Sequence, residues 1–269
     1  MLEPMIQSVD PELLLLLASV ALLAGFFDAI AGGGGLLTLP TLFLAGVDPL
    51  AAVATNKFQA ASATVSATAA FARKGMIHWR SGLPMAIAAF IGGALGAVSV
   101  SLVPQGMLQA CVPVLLILVA AWFAFSPTLQ EQQRRPKISL SLFCLGVAPL
   151  IGFYDGIFGP GVGSFFMLAC VMLLGQHLMR AVCDSKLLNA ACNLGALSVF
   201  AFGGAIIWPV ALSMACTAIV GAQLGASCAV RFGPRLIKPL VVCICCIMAI
   251  KLLNTPGNPA VAWLANHFP

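Results

Sequence analysis

Apolar runs recur along the whole chain, separated by short polar stretches. They fall at roughly 13–31, 36–46, 50–72, 81–101, 107–125, 138–153, 163–174, 179–202, 206–229 and 235–253. About 20 predominantly apolar residues carry an α-helix across the hydrocarbon of a bilayer. The pattern therefore predicts an all-α polytopic membrane protein. Two runs are short, 36–46 and 163–174. The first is only ~16 Å long at the helical rise, so it either crosses incompletely or is re-entrant. Each short run follows a glycine-rich break, Ala31-Gly32-Gly33-Gly34-Gly35 in one case and Gly159-Pro160-Gly161-Val162-Gly163 in the other. Irregular backbone at membrane depth must be buried in protein or line a wet cavity, because lipid cannot satisfy its polar groups.

The pattern also repeats. GFFDAIAGGGG at 25–35 aligns with GFYDGIFGPGV at 152–162, matching Asp28 to Asp155. After a shift of two residues Lys57 matches Lys186, Trp79 matches Trp208, and Gly92, Leu95 and Gly96 match Gly221, Leu224 and Gly225. Matches of Ala and Gly are common in apolar sequence; Asp, Lys and Trp in one register are not. The reading is a duplicated chain with a first transmembrane repeat at 1–125, a polar cytoplasmic linker at 126–137 and a second repeat at 138–269.

Basic residues orient the repeats. They gather at 73–80 (Arg73, Lys74, Arg80), in the linker (Arg134, Arg135, Lys137), at Arg180 and at 231–238 (Arg231, Arg235, Lys238). The stretches 46–49, 102–106 and 203–207 carry no Lys or Arg. Placing every basic loop in the cytoplasm makes 13–46 and 138–174 two passes each. Each half then has five segments, and the second half is inverted relative to the first. Inverted repeats with broken helices are a recurrent transporter plan.

Composition narrows the function. The chain has 269 residues, 61% of them hydrophobic and 8% charged, and a mean hydropathy of +1.06. Soluble domains are about 25% charged, so a soluble enzyme and a nucleic-acid-binding protein are excluded. The net charge of +5 is accounted for by loop topology. The N-terminus has Glu3, Asp10 and Glu12 but no basic residue before its apolar run, unlike a secretory signal. It reads as a retained first membrane helix. Of the ten cysteines, Cys111, Cys144, Cys170, Cys192, Cys216 and Cys228 lie in apolar runs and read as small buried hydrophobes. Cys243, Cys245 and Cys246 lack the paired blocks of a zinc site. His78, His177 and His267 lie in loops or the tail, so no cofactor and no metal centre is expected. Trp79 and Trp208 read as interface anchors.

Five charged residues fall in or beside apolar runs: Asp28, Lys57, Asp155, Asp184 and Lys186. A charge at the bilayer centre costs at least about 2.5–3.5 kcal/mol, so each needs a cavity or a partner. Lys57, with Thr55, Asn56 and Gln59 around it, and Lys186, with Ser185, Asn189 and Asn193, read as cations lining an anion path. The alternatives are snorkelling to the interface and ion pairing with an aspartate. Asp28, Asp155 and Asp184 either carry a coupling proton or form ion pairs, and the first two could also cap the short helices. Those helices would aim free N–H groups and a positive dipole end at the breaks, around Gly33, Gly34 and Gly35 and around Gly161, Gly163 and Ser164. Close helix packing is the other use of such glycines.

The stretch GFFDAIAGGGGLLTLPTLFLAGVDPLAAVATNKFQA resembles the signature of the TauE/SafE family of sulfite and organosulfonate exporters. The glycine run, Leu39-Pro40, Gly46 with Pro49, Thr55-Asn56, and Arg73 to Ile77 carry the likeness, and GFYDGIFGPGVGSFF repeats it in degenerate form. The resemblance implies a secondary transporter, probable exporter, of small anions such as sulfite or organosulfonates across a bacterial inner membrane. In the second half Asp184 and Ser185 stand where Thr55 and Asn56 stand in the first, so the halves are not chemically equal. The implied partners are the small anion and the lipid bilayer, with homo-oligomerisation open. A channel, a carboxylate carrier and a structural subunit are the competing readings. An embedded enzyme would need a nucleophile–base pair or ligand set that the runs do not contain.

Overall fold

The computed structural model describes residues 10–100, 102–103 and 135–232. The expected segments 107–125 and 235–253 lie outside the described residues. So do most of the linker, Arg134, Arg235, Lys238, His267, Cys111 and the cysteines at 243–246.

The described chain is helical, with no strand among the described residues. In order, the helices are α1 (Pro11–Ala31), α2 (Gly35–Leu44), α3 (Pro49–Arg73) and α4 (Trp79–Val100). They continue as α5 (Leu140–Ile157), α6 (Val162–Met172), α7 (Leu178–Gly203) and α8 (Trp208–Phe232). α5 contains a wider π-type stretch at Phe143–Val147. Local chemistry explains the starts. Asp10 caps α1 by accepting from Glu12 N–H, and Asp48 caps α3 by accepting from Leu50 and Ala51 N–H. In both, a proline occupies the first turn, where its missing N–H costs nothing.

Five described helices are long and apolar enough to cross a membrane: α1, α4, α5, α7 and α8. α3, with 25 residues, has the length but is too polar to face lipid. It is enclosed instead, with Thr55, Asn56, Lys57 and Gln59 all buried. α3 packs on α7 and α8, and the outer helices cross between halves, α1 on α8 and α4 on α5 and α7.

Contact registers give the helix directions. Along α1 and α8, Ala18 meets Thr217, Leu22 meets Gly221 and Phe26 meets Gly225, so the two run parallel. Along α4 and α5, Ala89 meets Gly152 and Gly93 meets Gly156, again in step. Thr55 reaches Ile207 and Ser66 reaches Gln223, which sets α3 parallel to α8. Ser81 reaches Arg180 and Gly93 reaches Cys192, which sets α4 parallel to α7. One end of the bundle thus collects Arg73, Lys74, Arg80, Arg135, Lys137, Arg180 and Arg231, and the other end collects Asp10, Glu12 and Asp48. The short helices are return arms: α2 leads back to the end where α1 began, and Lys137 N–H bonds Leu173 O just after α6, beside the start of α5. The runs at 36–46 and 163–174 therefore start inside the bundle.

Lipid supplies no hydrophobic force between helices, so close van der Waals approach through small residues holds them together. Gly92 and Gly96 sit on Pro149 O and Phe153 O, and Gly221 and Gly225 sit on Leu22 O and Phe26 O. A Cβ at any of the four would overlap that carbonyl. We predict that Gly96→Leu and Gly225→Leu each lower stability by at least ~1–3 kcal/mol, the usual cost of overpacking. Gly146→Ala, where a Cβ meets nothing, should leave it unchanged; thermal unfolding in detergent distinguishes the three.

Candidate functional site

The lysines of α3 and α7 are sealed in the interior, with Lys57 0% and Lys186 1% exposed. That excludes snorkelling, since neither ammonium reaches an interface. Each finds an aspartate of the opposite half. Lys57 Nζ lies 2.8 Å from Asp155 Oδ1, and Lys186 Nζ lies 3.4 Å from Asp28 Oδ2. Both aspartates occupy the last turn of the helix that precedes a glycine break.

The breaks meet between these pairs. A methyl at Gly163 would stand 2.6 Å from Gly32 Cα, 3.0 Å from Asn189 Nδ2 and 3.1 Å from Lys186 Nζ. A methyl at Gly159 would stand 2.8 Å from Lys57 Nζ and 3.0 Å from Asp155 Oδ1. Gly159 also holds φ +90°, a conformation that favours glycine. Gly35 lies against Pro160. Backbone, ammonium and carboxylate are thus in contact with no room for another side chain.

The two pairs differ in how far they are satisfied. Asp28 is fully engaged: Oδ1 accepts from Gly34 N–H at 3.1 Å, Oδ2 faces Lys186, and its backbone carbonyl accepts from both Lys186 Nζ and Gly32 N–H. It is both the cap of α2 and an ion-pair member. One of the N–H groups expected to be free at the first break is therefore already donated to the protein's own carboxylate. At the second break the N-cap of α6 is Gly161, which has no side chain. Asp155 Oδ2 has no hydrogen-bond partner, and Lys57 Nζ has none beyond its ion pair.

The remaining expected residues divide. Asn189 stands at the Lys186 pair and accepts from Asn193 Nδ2. Asn56 Oδ1 accepts from Thr38 Oγ1 on α2, and Gln59 is buried with Oε1 unpartnered. Ser164 is buried in the first turn of α6. Gly33 and Gly161 carry backbone turns, their carbonyls accepting from Leu36 and Ser164 N–H. Three residues point to other work. Thr55 Oγ1 accepts from Ile207 N–H, tying α3 to the turn before α8. Ser185 Oγ donates to Val182 O of its own helix. Asp184 forms a separate network with Arg180 at 3.6 Å and Gln176 Nε2 at 2.9 Å.

Sequence reading passed over Thr38, which locks Asn56, and Tyr154, whose hydroxyl donates to Pro160 O at 2.9 Å and braces the second break. Thr38 alone gave a signal, as a hydroxyl on the same face of α2 as the buried Leu42. Nothing local marks Tyr154.

Comparison with known proteins places this geometry. The family model described as "Sulfite exporter TauE/SafE" matches residues 17–252. The chain is 42% identical over 260 residues to a Sinorhizobium protein named "Probable membrane transporter protein ORF9", covering 97% of this chain and 100% of that one. It is 40% identical over 257 residues to the Escherichia coli protein "Probable membrane transporter protein YfcA", covering 95% and 96%. It is 39% identical over 246 residues to a Haemophilus influenzae protein named "Probable membrane transporter protein", covering 91% and 96%. No solved structure matches the chain.

Removing one member of a buried ion pair leaves an uncompensated charge and costs about 3–5 kcal/mol. Lys57→Met and Asp155→Asn should each destabilise by that order. The double variant should recover most of the loss, giving a large coupling energy in a double-mutant cycle of unfolding in detergent. Additive losses would mean that the pair is not energetically linked.

Proposed function

Because the chain belongs to the TauE/SafE family of membrane transporters, we propose that it is a secondary carrier that exports small anions, sulfite or an organosulfonate, across the bacterial inner membrane. The observation that carries this reading is the pair of fully buried lysines beside two glycine breaks. A buried ammonium next to an uncapped helix start is a site where negative charge is stabilised twice, by the cation and by the N–H groups and dipole. An anion would be held by Lys57 together with the backbone at Gly161, Gly163 and Ser164, with Lys186, Asn189, Asn56 and Gln59 shaping the polar surroundings. Gly33, Gly34, Gly35, Thr55 and Ser185 hold the backbone of that site in place.

The same reading takes the repeats 1–125 and 138–269 as inverted copies. Matched helices, α1 with α5 and α4 with α8, run in opposite directions by their contact registers. Their interfaces correspond residue by residue: Phe26 with Gly225 mirrors Phe153 with Gly96, and Asp28 with Lys186 mirrors Asp155 with Lys57. With the basic end in the cytoplasm, tilting of one set of helices against the other exposes the site to alternate sides. The Lys57 ammonium, with no hydrogen bond beyond its ion pair, favours a carrier over a structural subunit.

Uptake of sulfite and of a short sulfonate into liposomes containing the purified protein tests the reading. Saturable uptake that Lys57→Ala reduces by at least about tenfold, the effect of losing ~1.4 kcal/mol or more of binding, is expected. Linear, unsaturable flux would make the protein a channel. No flux of either anion would overturn the substrate assignment.

A further inference from the structure

The two aspartates are equivalent by sequence and unequal in place. Every oxygen of Asp28 is occupied, one carboxylate oxygen by the Gly34 N–H, the other by Lys186, and the carbonyl by Lys186 and Gly32. Protonating Asp28 would strip the cap from α2 and the counter-charge from Lys186 together. Asp155 has one oxygen on Lys57 and the other, Oδ2, buried without a partner. The carboxylate is 2% exposed. Among the described residues no backbone N–H of the following break donates to it, and the N-cap of α6 is Gly161, which has no side chain. An unpartnered buried carboxylate oxygen is costly, and a proton is the smallest species that relieves it.

The surroundings bring little else that titrates. α3 supplies Lys57, α7 supplies the Cys192 thiol, and α1 supplies Asp28 as a second carboxylate within electrostatic reach. α6 carries no charged residue, and the sole charged residue of α4, Arg80, lies in its first turn at the basic end. Beside Asp155, α4 brings the backbone of Gly93, Gly96 and Ala97 against Gly156 and Phe153.

We propose that Asp155, and not Asp28, is the proton-carrying group of this transporter. A proton taken up at Oδ2 releases the Lys57 ammonium to hold a monovalent anion against the start of α6. Asp28 and Lys186 stay paired throughout as a structural latch. This assignment rests on the anion-carrier reading above and deepens it.

Charge conservation then gives the coupling. The empty site holds one ammonium and one carboxylate and is neutral. The loaded site holds one ammonium, one neutral carboxyl and one monovalent anion, and is neutral again. A site with the proton alone is cationic, and a site with the anion alone is anionic. A net charge near the bilayer centre is expensive, so only the empty and the fully loaded forms reorient readily. Anion and proton therefore move together, one to one, with no net charge transferred, so export runs down the anion's own gradient and carries a proton out with it.

The test uses the full protein in liposomes with methanesulfonate as probe, comparing wild type, Asp155→Asn, Asp155→Glu and Asp28→Asn. In wild type a one-unit pH gradient should sustain about a tenfold anion gradient, unaffected by an imposed membrane potential. Asp155→Asn, whose empty site is cationic, should exchange the anion for anion across the membrane without accumulating it. Asp155→Glu should restore accumulation with a displaced pH profile. Whatever protein folds as Asp28→Asn should still accumulate. Accumulation by Asp155→Asn, or its loss in Asp28→Asn alone, overturns the assignment, as does accumulation that follows the membrane potential.

A second readout needs no anion. Infrared difference spectra of the purified protein on acidification should show, beside the bands of the exposed carboxyls and of Asp184, whose Oδ1 is also unpartnered, a protonated-carboxyl band that moves in Asp155→Glu and stays in Asp28→Asn. Absence of the band, or its disappearance in Asp28→Asn, also overturns the assignment. A band that follows Asp155 in a protein that carries no methanesulfonate or sulfite supports the proton assignment and overturns the anion-carrier reading instead.

Discussion

Two ammonium groups sit in the interior of an apolar bundle, and the rest of the structure answers to that fact. A lone cation at such depth is not tolerable, and each lysine lies beside a carboxylate from the other half of the chain. The consequence is architectural. The halves cannot fold as independent bodies side by side, because each supplies the counter-charge of the other. α1 lies on α8 and α4 on α5, and glycines at matched positions let those helices approach until backbone touches backbone. The glycine breaks serve the same end. They stop α1 and α5 inside the bundle, so that Asp28 and Asp155 finish their helices at the level of the lysines.

The two halves place their matched aspartates and lysines in near-symmetry, and small departures from it set the two pairs apart. Asp28 is held by backbone N–H groups and its lysine; Asp155 is held by its lysine and the Cys192 thiol, with Oδ2 left over. The Asp28 carboxylate takes the Gly34 N–H at the start of the first short helix, whereas Asp155 Oδ2 takes no partner. Thr55 takes a backbone N–H of the turn before α8, whereas its counterpart Asp184 builds a network with Arg180 and Gln176.

Much of this was legible in the chain. Periodicity and length gave the helices, with α3 at 49–73 against an expected 50–72, because Asp48-Pro49 is a strong start signal and Arg73 ends the apolar run. The match of Asp28 to Asp155 and of Lys57 to Lys186 gave the four residues that the structure brings together. What stayed hidden was pairing across the halves. Sequence shows that an aspartate and a lysine recur; it does not show that each lysine finds the aspartate of the other copy, since that depends on which helices become neighbours. The difference between Asp28 and Asp155 was likewise invisible, because it arises from one hydrogen bond to Gly34 that its counterpart does not make. Thr55, Ser185 and Asp184 looked equivalent to their neighbours by spacing, yet point to a loop, to their own helix and to a separate ion pair.

On the proposed reading the two buried ion pairs do different work, one opening to a substrate anion and the other holding the bundle together. The most direct test follows the two lysine ammonium nitrogens by nitrogen-15 magnetic resonance in labelled protein, before and after saturating sulfite. The account predicts that the Lys57 signal, assigned by its loss in Lys57→Ala, shifts on addition of the anion while the Lys186 signal does not. A shift at Lys186 with Lys57 unmoved, or no shift at either, would contradict it.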